Sequence, residues 1–112
     1  MSATHDLGMP TLPRVTVVTI LRAVSAEFGI PELELLAHRR MKRSCVPRHA
    51  VMGLARSLTP YSLPQIGRAM RRDHTTVLAG IHRHQERMAQ DPDYAAQIRA
   101  VSERLQGAKS DA

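Results

Sequence analysis

Apolar side chains recur every three or four residues along most of this 112-residue chain. In the segment 14–28, for example, Val17, Ile20, Leu21 and Val24 fall on one side of a helical wheel. That spacing follows the α-helical period of about 3.6 residues and not the two-residue alternation of a half-buried strand. The sequence therefore predicts an all-α fold.

Proline, glycine and capping residues divide the chain into six predicted helices. Ser62 and Gln65 have the spacing of a capping box, and Asp73 is a favourable N-cap. The segment 38–46 has few apolar residues, so it is predicted to be a surface loop, with Pro47 as the first residue of the next helix. The predicted helices are 14–28, 31–36, 47–58, 62–70, 73–88 and 92–106.

These helices predict one compact bundle containing a helix-turn-helix, because no linker or internal repeat interrupts the chain. Residues 14–106 form the domain in this interpretation. Residues 1–13, which show no apolar periodicity, are expected to be a flexible lead-in, and residues 107–112 a frayed tail.

Positive charge is concentrated in the middle of the chain, which has a net charge of +6. From Leu35 to Arg72 there are nine lysines and arginines and no aspartate or glutamate. Such an acid-free stretch is typical of a protein that binds a polyanion, and the arginine fork suits phosphate and guanine edges.

Composition excludes several other classes of protein. The single cysteine, Cys45, cannot form an internal disulfide, which suits a cytoplasmic protein. No apolar run is long enough to cross a bilayer. The six histidines lack metal-ligand spacing, and His82 and His84 are expected to add conditional positive charge to a helix flank. We expect no enzyme activity, no cofactor, no metal and no nucleotide, because no catalytic set or phosphate loop is found.

The predicted helices 62–70 and 73–88 have the arrangement of a helix-turn-helix, whose second helix enters the major groove. Its first turn would present Asp73, His74, Thr75 and Thr76, all of which can hydrogen-bond to base edges or phosphates. Arg71 and Arg72, just before this tip, are positioned to contact the sugar-phosphate backbone.

Three stretches resemble the C-terminal duplex-binding domain of the bacterial replication initiator DnaA. They are HRRMKRS at 38–44, SLPQIG at 62–67 and, most specifically, RDHTTVL at 72–78. The hydrophobic pattern also follows that domain from Val15 to about Met88. The resemblance implies binding to double-stranded DNA at a DnaA-box-like element, in replication-initiation control or transcription regulation.

The resemblance also implies roles for individual residues. Arg40 would enter the minor groove, and Asp73, His74 and Thr75 would read the major groove. Arg48, Arg56, Pro64 and Thr76 would contact or support the sugar-phosphate backbone. Independently of the resemblance, positive charge and position predict further backbone contacts for Arg39, Lys42, Arg43, Arg71 and Arg72.

Two features depart from the family. The family usually has Gly-Gly before the Arg-Asp-His-Thr-Thr, whereas Met70-Arg71 stands here and is one residue shorter, so the turn is expected to be tighter. No ATPase phosphate loop is present, and the natural start Met1-Ser2-Ala3 favours a stand-alone relative.

Two alternatives remain open at this stage. The first is a non-specific nucleic-acid or nucleoid-associated protein, which would show a steep salt dependence without sequence discrimination. The second is a protein-interaction module, such as an antitoxin-like or prophage partner, that uses the predicted helix 92–106 with Arg99, Glu103 and Arg104 outward.

Overall fold

The computed structural model describes residues 15–38 and 41–110, which form six α-helices and no strand. The prediction of an all-α bundle is therefore confirmed for this part of the chain. The helices are α1 (Val17–Phe28), α2 (Glu32–Leu36), α3 (Lys42–Leu58), α4 (Leu63–Met70), α5 (His74–Gln90) and α6 (Pro92–Ser110).

The core lies around α3, which packs most extensively on α5 and also contacts α1. Ala50, Val51 and Ala55 of α3 are completely buried, as are Ile20 and Val24 of α1. Helix α6 closes the bundle against α1 and α5 through Tyr94, Ile98 and Val101. Burial of these apolar surfaces is the main force that holds six otherwise marginal helices together.

The helices α3 and α5 approach closely because Gly53 stands at their contact. A Cβ added at Gly53 would lie 2.1 Å from Cδ2 of His84. That histidine is buried, and its Nδ1 lies 2.7 Å from the hydroxyl oxygen of Tyr94 on α6. A polar pair thus links α5 to α6 inside an otherwise apolar layer, with both hydrogen-bonding groups satisfied.

The predicted end of α1 and the predicted start of α4 agree with their capping residues, whereas α1 begins at Val17, after the N-cap Thr16, and not at the predicted residue 14. Ser62 and Gln65 form a reciprocal capping box at the start of α4. Gly29 ends α1 with φ of 69°, a left-handed conformation that glycine adopts without steric penalty.

The prediction of a surface loop over 38–46 is wrong from Lys42 onward. Helix α3 begins at Lys42, and Pro47 lies inside it instead of at its first position. Proline there removes the intrahelical bond to the carbonyl of Arg43. The side chains of Arg43 and Ser44, in the first turn of α3, both hydrogen-bond to Glu34 of the preceding helix and so anchor this turn.

Helix α6 is longer than predicted and extends to Ser110, past the expected end at residue 106. The expected lead-in 1–13 lies outside the described residues.

Candidate nucleic-acid interface

The turn between α4 and α5 consists of three residues, Arg71, Arg72 and Asp73. Arg71 adopts a left-handed conformation with φ of 61° and ψ of 42°, the only positive φ at a non-glycine residue in the described ranges. The N–H of Arg72 then donates to the carbonyl of Gly67 at 2.8 Å. One arginine therefore takes the conformation for which helix ends normally use glycine.

Gly67 is required for this tight turn. A Cβ at this position would lie 2.4 Å from the carbonyl oxygen of Arg72, closer than side-chain atoms approach a backbone. The missing side chain lets the turn fold back onto α4. The position of the α5 tip relative to α4 is set by this contact.

Asp73 caps α5 in the way the sequence predicts. Its Oδ1 accepts hydrogen bonds from the backbone N–H of Thr76 at 2.9 Å and from the Thr75 hydroxyl at 2.7 Å. The hydroxyl of Thr75, followed by the N–H of Thr76, lowers the pKa of Asp73 to about 2. The carboxylate is thus ionised at neutral pH and fixed in orientation.

The N-cap and first turn of α5 present a continuous exposed polar surface. Asp73, His74, Thr75 and Thr76 are all exposed, whereas Val77 directly after them is completely buried. Since the Thr75 hydroxyl gives its proton to Asp73, its oxygen lone pairs and its methyl group remain to meet a base edge. The tip therefore offers a charged acceptor, an imidazole and a methyl group side by side.

Arg48 and Arg72 serve as internal clamps in the structure. Arg48 donates to the carbonyl oxygens of Leu35 at 3.0 Å and Glu34 at 3.1 Å. Arg72 donates to the carbonyls of Met70 at 3.0 Å and Ala37 at 2.6 Å. Burial, followed by the nearby charge of Arg48, lowers the pKa of Arg72. These two guanidiniums tie the segment 34–37 to α3 and to the turn of the helix-turn-helix.

Arg43 forms an ion pair that neutralises its charge. Its guanidinium donates through Nε and Nη2 to the carboxylate of Glu34, which also accepts from Ser44. The Arg43 bonds, followed by the Ser44 bond, lower the pKa of Glu34 to about 2. Of the predicted phosphate contacts, Arg43 is therefore already engaged within the protein.

The other predicted site residues that the structure describes are exposed. Lys42 begins α3, Arg56 lies in its last turn, Pro64 lies in the first turn of α4, and Arg71 ends it. Arg39 and Arg40, which include the predicted minor-groove residue, lie outside the described residues.

A cleft between α3 and α5 brings four predicted site residues together. It has a volume of about 570 Å³. We call it the basic cleft; its lining residues are His38, Met41, Lys42, Cys45, Arg48, His49, Met52, Arg72, Thr76, Ala79, Gly80 and Arg83. None of them is acidic.

Sequence reasoning missed Arg83 and His49 as neighbours of the site. Arg83 follows Thr76 at the spacing of two helical turns, so its place on the same face was available from the periodicity. His49 shares a face with Lys42 and Cys45 only because residues 42–46 are helical. That signal was hidden by the expectation of a loop there.

The remaining reactive residues are accounted for by the fold. His84 is buried, and burial, followed by Arg87, lowers its pKa, so the expectation that it adds positive charge is wrong. Cys45 is a free, exposed cysteine and lies in α3, not in a loop. Arg104, expected on an outward face, donates to Glu27 of α1 at 3.2 Å. In the described residues no group of three or more metal-ligating side chains is found.

None of the helices in the described ranges is long and apolar enough to cross a bilayer.

The fold and the polar helix tip define a helix-turn-helix domain of the class that reads duplex DNA. Residues 17–83 match the family described as the bacterial DnaA protein helix-turn-helix, and the chain belongs to that family.

Similar proteins agree with this assignment. The chain is 39% identical over 95 residues to the chromosomal replication initiator protein DnaA of Caulobacter sp. strain K31, covering 84% of this chain and 20% of that protein. It is 33% identical over 105 residues to the DnaA of Deinococcus radiodurans, and the match covers 94% of this chain and 22% of that protein. The DnaA of Gluconobacter oxydans is 39% identical over 95 residues, and the match covers 84% of this chain and 20% of that protein. The chain thus spans about a fifth of the length of these relatives.

Proposed function

We propose that this protein binds double-stranded DNA sequence-specifically, at an element like the boxes bound by DnaA, and acts in the control of replication initiation or transcription. One observation carries the proposal: the heptad RDHTTVL forms the turn and exposed first turn of α5. Its polar residues face solvent at the position where a recognition helix meets base edges.

Each residue of the tip has a defined task in this proposal. The Asp73 carboxylate accepts from a cytosine amino group, His74 donates to or accepts from a base edge, and Thr75 meets a thymine methyl. The orientations of Asp73 and Thr75 are set before DNA binds, since these two side chains already hydrogen-bond to each other. A preorganised surface loses less conformational entropy on binding.

The protein acts by binding and not by catalysis, in the cytoplasm at the nucleoid. The matched family is the helix-turn-helix of DnaA, and DNA contacts at this tip need no cofactor. A box occupied by this protein would be closed to other proteins that recognise it, so competition for boxes is the simplest route to regulation.

Fluorescence anisotropy with a box-containing duplex and a scrambled duplex of equal composition tests the proposal. We expect tighter binding to the box, and His74→Ala should reduce the difference by about 1–3 kcal/mol. His82→Ala is the matched control, because His82 is an exposed histidine further along the same helix. Equal affinity for both duplexes would refute sequence-specific binding and favour the nucleoid-associated alternative.

A further inference from the structure

The C-terminal end of α2 is capped by two arginines from distant parts of the chain. The carbonyl oxygens of the last residues of a helix have no partner within the helix. In α2 the carbonyl oxygens from Glu34 through Ala37 accept hydrogen bonds from the guanidiniums of Arg48 and Arg72. Positive charge at this end of a helix is also electrostatically favourable.

Arg72 joins the end of α2 to the turn of the helix-turn-helix. Its Nη2 donates to the carbonyl oxygen of Ala37, 35 residues earlier, at 2.6 Å. Its Nη1 donates to the carbonyl oxygen of Met70 at 3.0 Å and lies 3.3 Å from those of Leu36 and Arg71. The planar and rigid guanidinium therefore connects two backbone segments at once.

The two segments that Arg72 connects lead directly to the two predicted reading elements. Asp73, at the tip of α5, follows Arg72 in the chain. Arg40, which the resemblance to DnaA predicts for the minor groove, follows Ala37 by three residues. Because three residues span at most about 10 Å, the bond from Arg72 to Ala37 limits the distance between the two reading elements.

We propose that Arg72 is a positioning residue, which holds the start of the minor-groove segment at a fixed distance from the tip of α5 so that both grooves are read together. This rests on the proposed function and gives Arg72 a role other than a phosphate contact. Its guanidinium is already engaged by carbonyl oxygens, although it lines the basic cleft, whereas the neighbouring Arg71 is exposed. Two binding elements that are held in place before DNA arrives lose less entropy on binding.

Modified base pairs in a box-containing duplex test the two reading elements separately. Diaminopurine paired with thymine adds an amino group to the minor groove and leaves the major-groove pattern of A·T unchanged. Inosine paired with cytosine gives the major-groove pattern of G·C and leaves the minor groove like that of A·T. Placed at the A·T pairs of the box, each modification should weaken wild-type binding on the order of tenfold.

The variant Arg72→Lys separates positioning from charge. It keeps the positive charge, but an ammonium is a point donor and does not span both segments as the guanidinium does. We expect this variant to bind the diaminopurine box and the plain box almost equally, and to keep the wild-type penalty for inosine. Arg68→Lys, at an exposed position in the last turn of α4, is the matched control and should keep both penalties.

Several outcomes would overturn the positioning role. If Arg72→Lys keeps the full penalty for diaminopurine, positive charge alone is sufficient. Equal loss of both penalties would make Arg72 a general structural support. In Arg72→Gln, a slope of log K against log salt that is less negative by about 0.9 would identify a phosphate contact instead; we expect an unchanged slope.

The same titrations separate this inference from the proposed function. A wild type that is sensitive to inosine but not to diaminopurine would refute the inference alone. Equal binding of all box duplexes and the scrambled duplex would refute the proposed function as well.

Discussion

Replacing Arg71 by glycine should make the protein more stable and a weaker DNA binder at the same time. Arg71 ends α4 in the left-handed region, with φ of 61°. A residue with a Cβ is strained there, and such strain is retained mainly where the side chain is needed for function. The exposed guanidinium, next to the tip of α5, is the reason we infer for keeping it.

The size of the effect follows from two opposing backbone terms. Relief of the left-handed conformation contributes roughly 1–2 kcal/mol, and the greater freedom of glycine in the unfolded chain removes about 0.4–1 kcal/mol of this gain. The net stabilisation is about 0–1.6 kcal/mol, with a central value of about 0.8 kcal/mol. That central value should raise the Tm by roughly 3–6 °C for a domain of this size. The slope of log K against log salt is negative, and loss of one phosphate contact should make it less negative by about 0.9.

Circular dichroism melting and anisotropy titrations at several salt concentrations measure both effects on the same samples. Arg71→Asn is the matched control, because asparagine tolerates the left-handed region without carrying a charge. It should bind DNA as weakly as Arg71→Gly. If Arg71→Gly melts at a lower temperature than the wild type, Arg71 is not strained in the folded protein. If it binds both duplexes as tightly as the wild type, Arg71 makes no phosphate contact.

Three further predictions concern the scaffold beneath the interface. Gly67→Ala should lower stability by about 1–3 kcal/mol in urea unfolding, because its Cβ would meet the Arg72 carbonyl; an unchanged midpoint would contradict the required close approach. Glu34→Gln should speed hydrogen exchange of the backbone amides of residues 42–46. Glu32→Gln is the control and should not, because Glu32 pairs with Arg22 at 3.8 Å and not with α3. Equal protection of these amides in both variants would show that Glu34 does not anchor α3. His49 has a pKa of about 4 in the folded protein and about 6.5 in the unfolded chain. As the pH falls, the unfolded chain therefore binds the proton first. The free energy of unfolding should decrease between about pH 6.5 and pH 4. His49→Gln should reduce that loss in melting curves and His82→Gln should not; the same loss in both would place its origin elsewhere.

The fold could be predicted wherever local signals decide it. Apolar periodicity locates the core positions of α1, and the capping residues Ser62 and Asp73 locate the starts of α4 and α5. The start of α3 could not be found in this way. It depends on bonds from Arg43 and Ser44 to Glu34, nine and ten residues earlier, and these contacts override the local signal of Pro47.

The roles of the arginines were the least predictable part of the site. The acid-free stretch correctly indicates a basic surface, but sequence alone does not separate a solvent-facing cation from a buried one. Arg48 and Arg72 point to backbone carbonyls that become neighbours only when the chain is folded. Arg43 pairs with an acid just outside the stretch. A count of charges therefore overstates the number available to DNA.

Asp73 combines two roles that usually compete. A capping carboxylate satisfies backbone donors, and a base-reading carboxylate needs to accept from the ligand. Its hydrogen bonds at Oδ1 lower its pKa to about 2 and hold it rigid, so the cap itself keeps the reader charged and oriented. The fixed negative charge of Asp73 is repelled by DNA phosphates. Hydrogen bonds from base donors offset this repulsion only where the tip faces base edges in a groove. The structure of the cap is thus an independent reason to expect base reading at this tip.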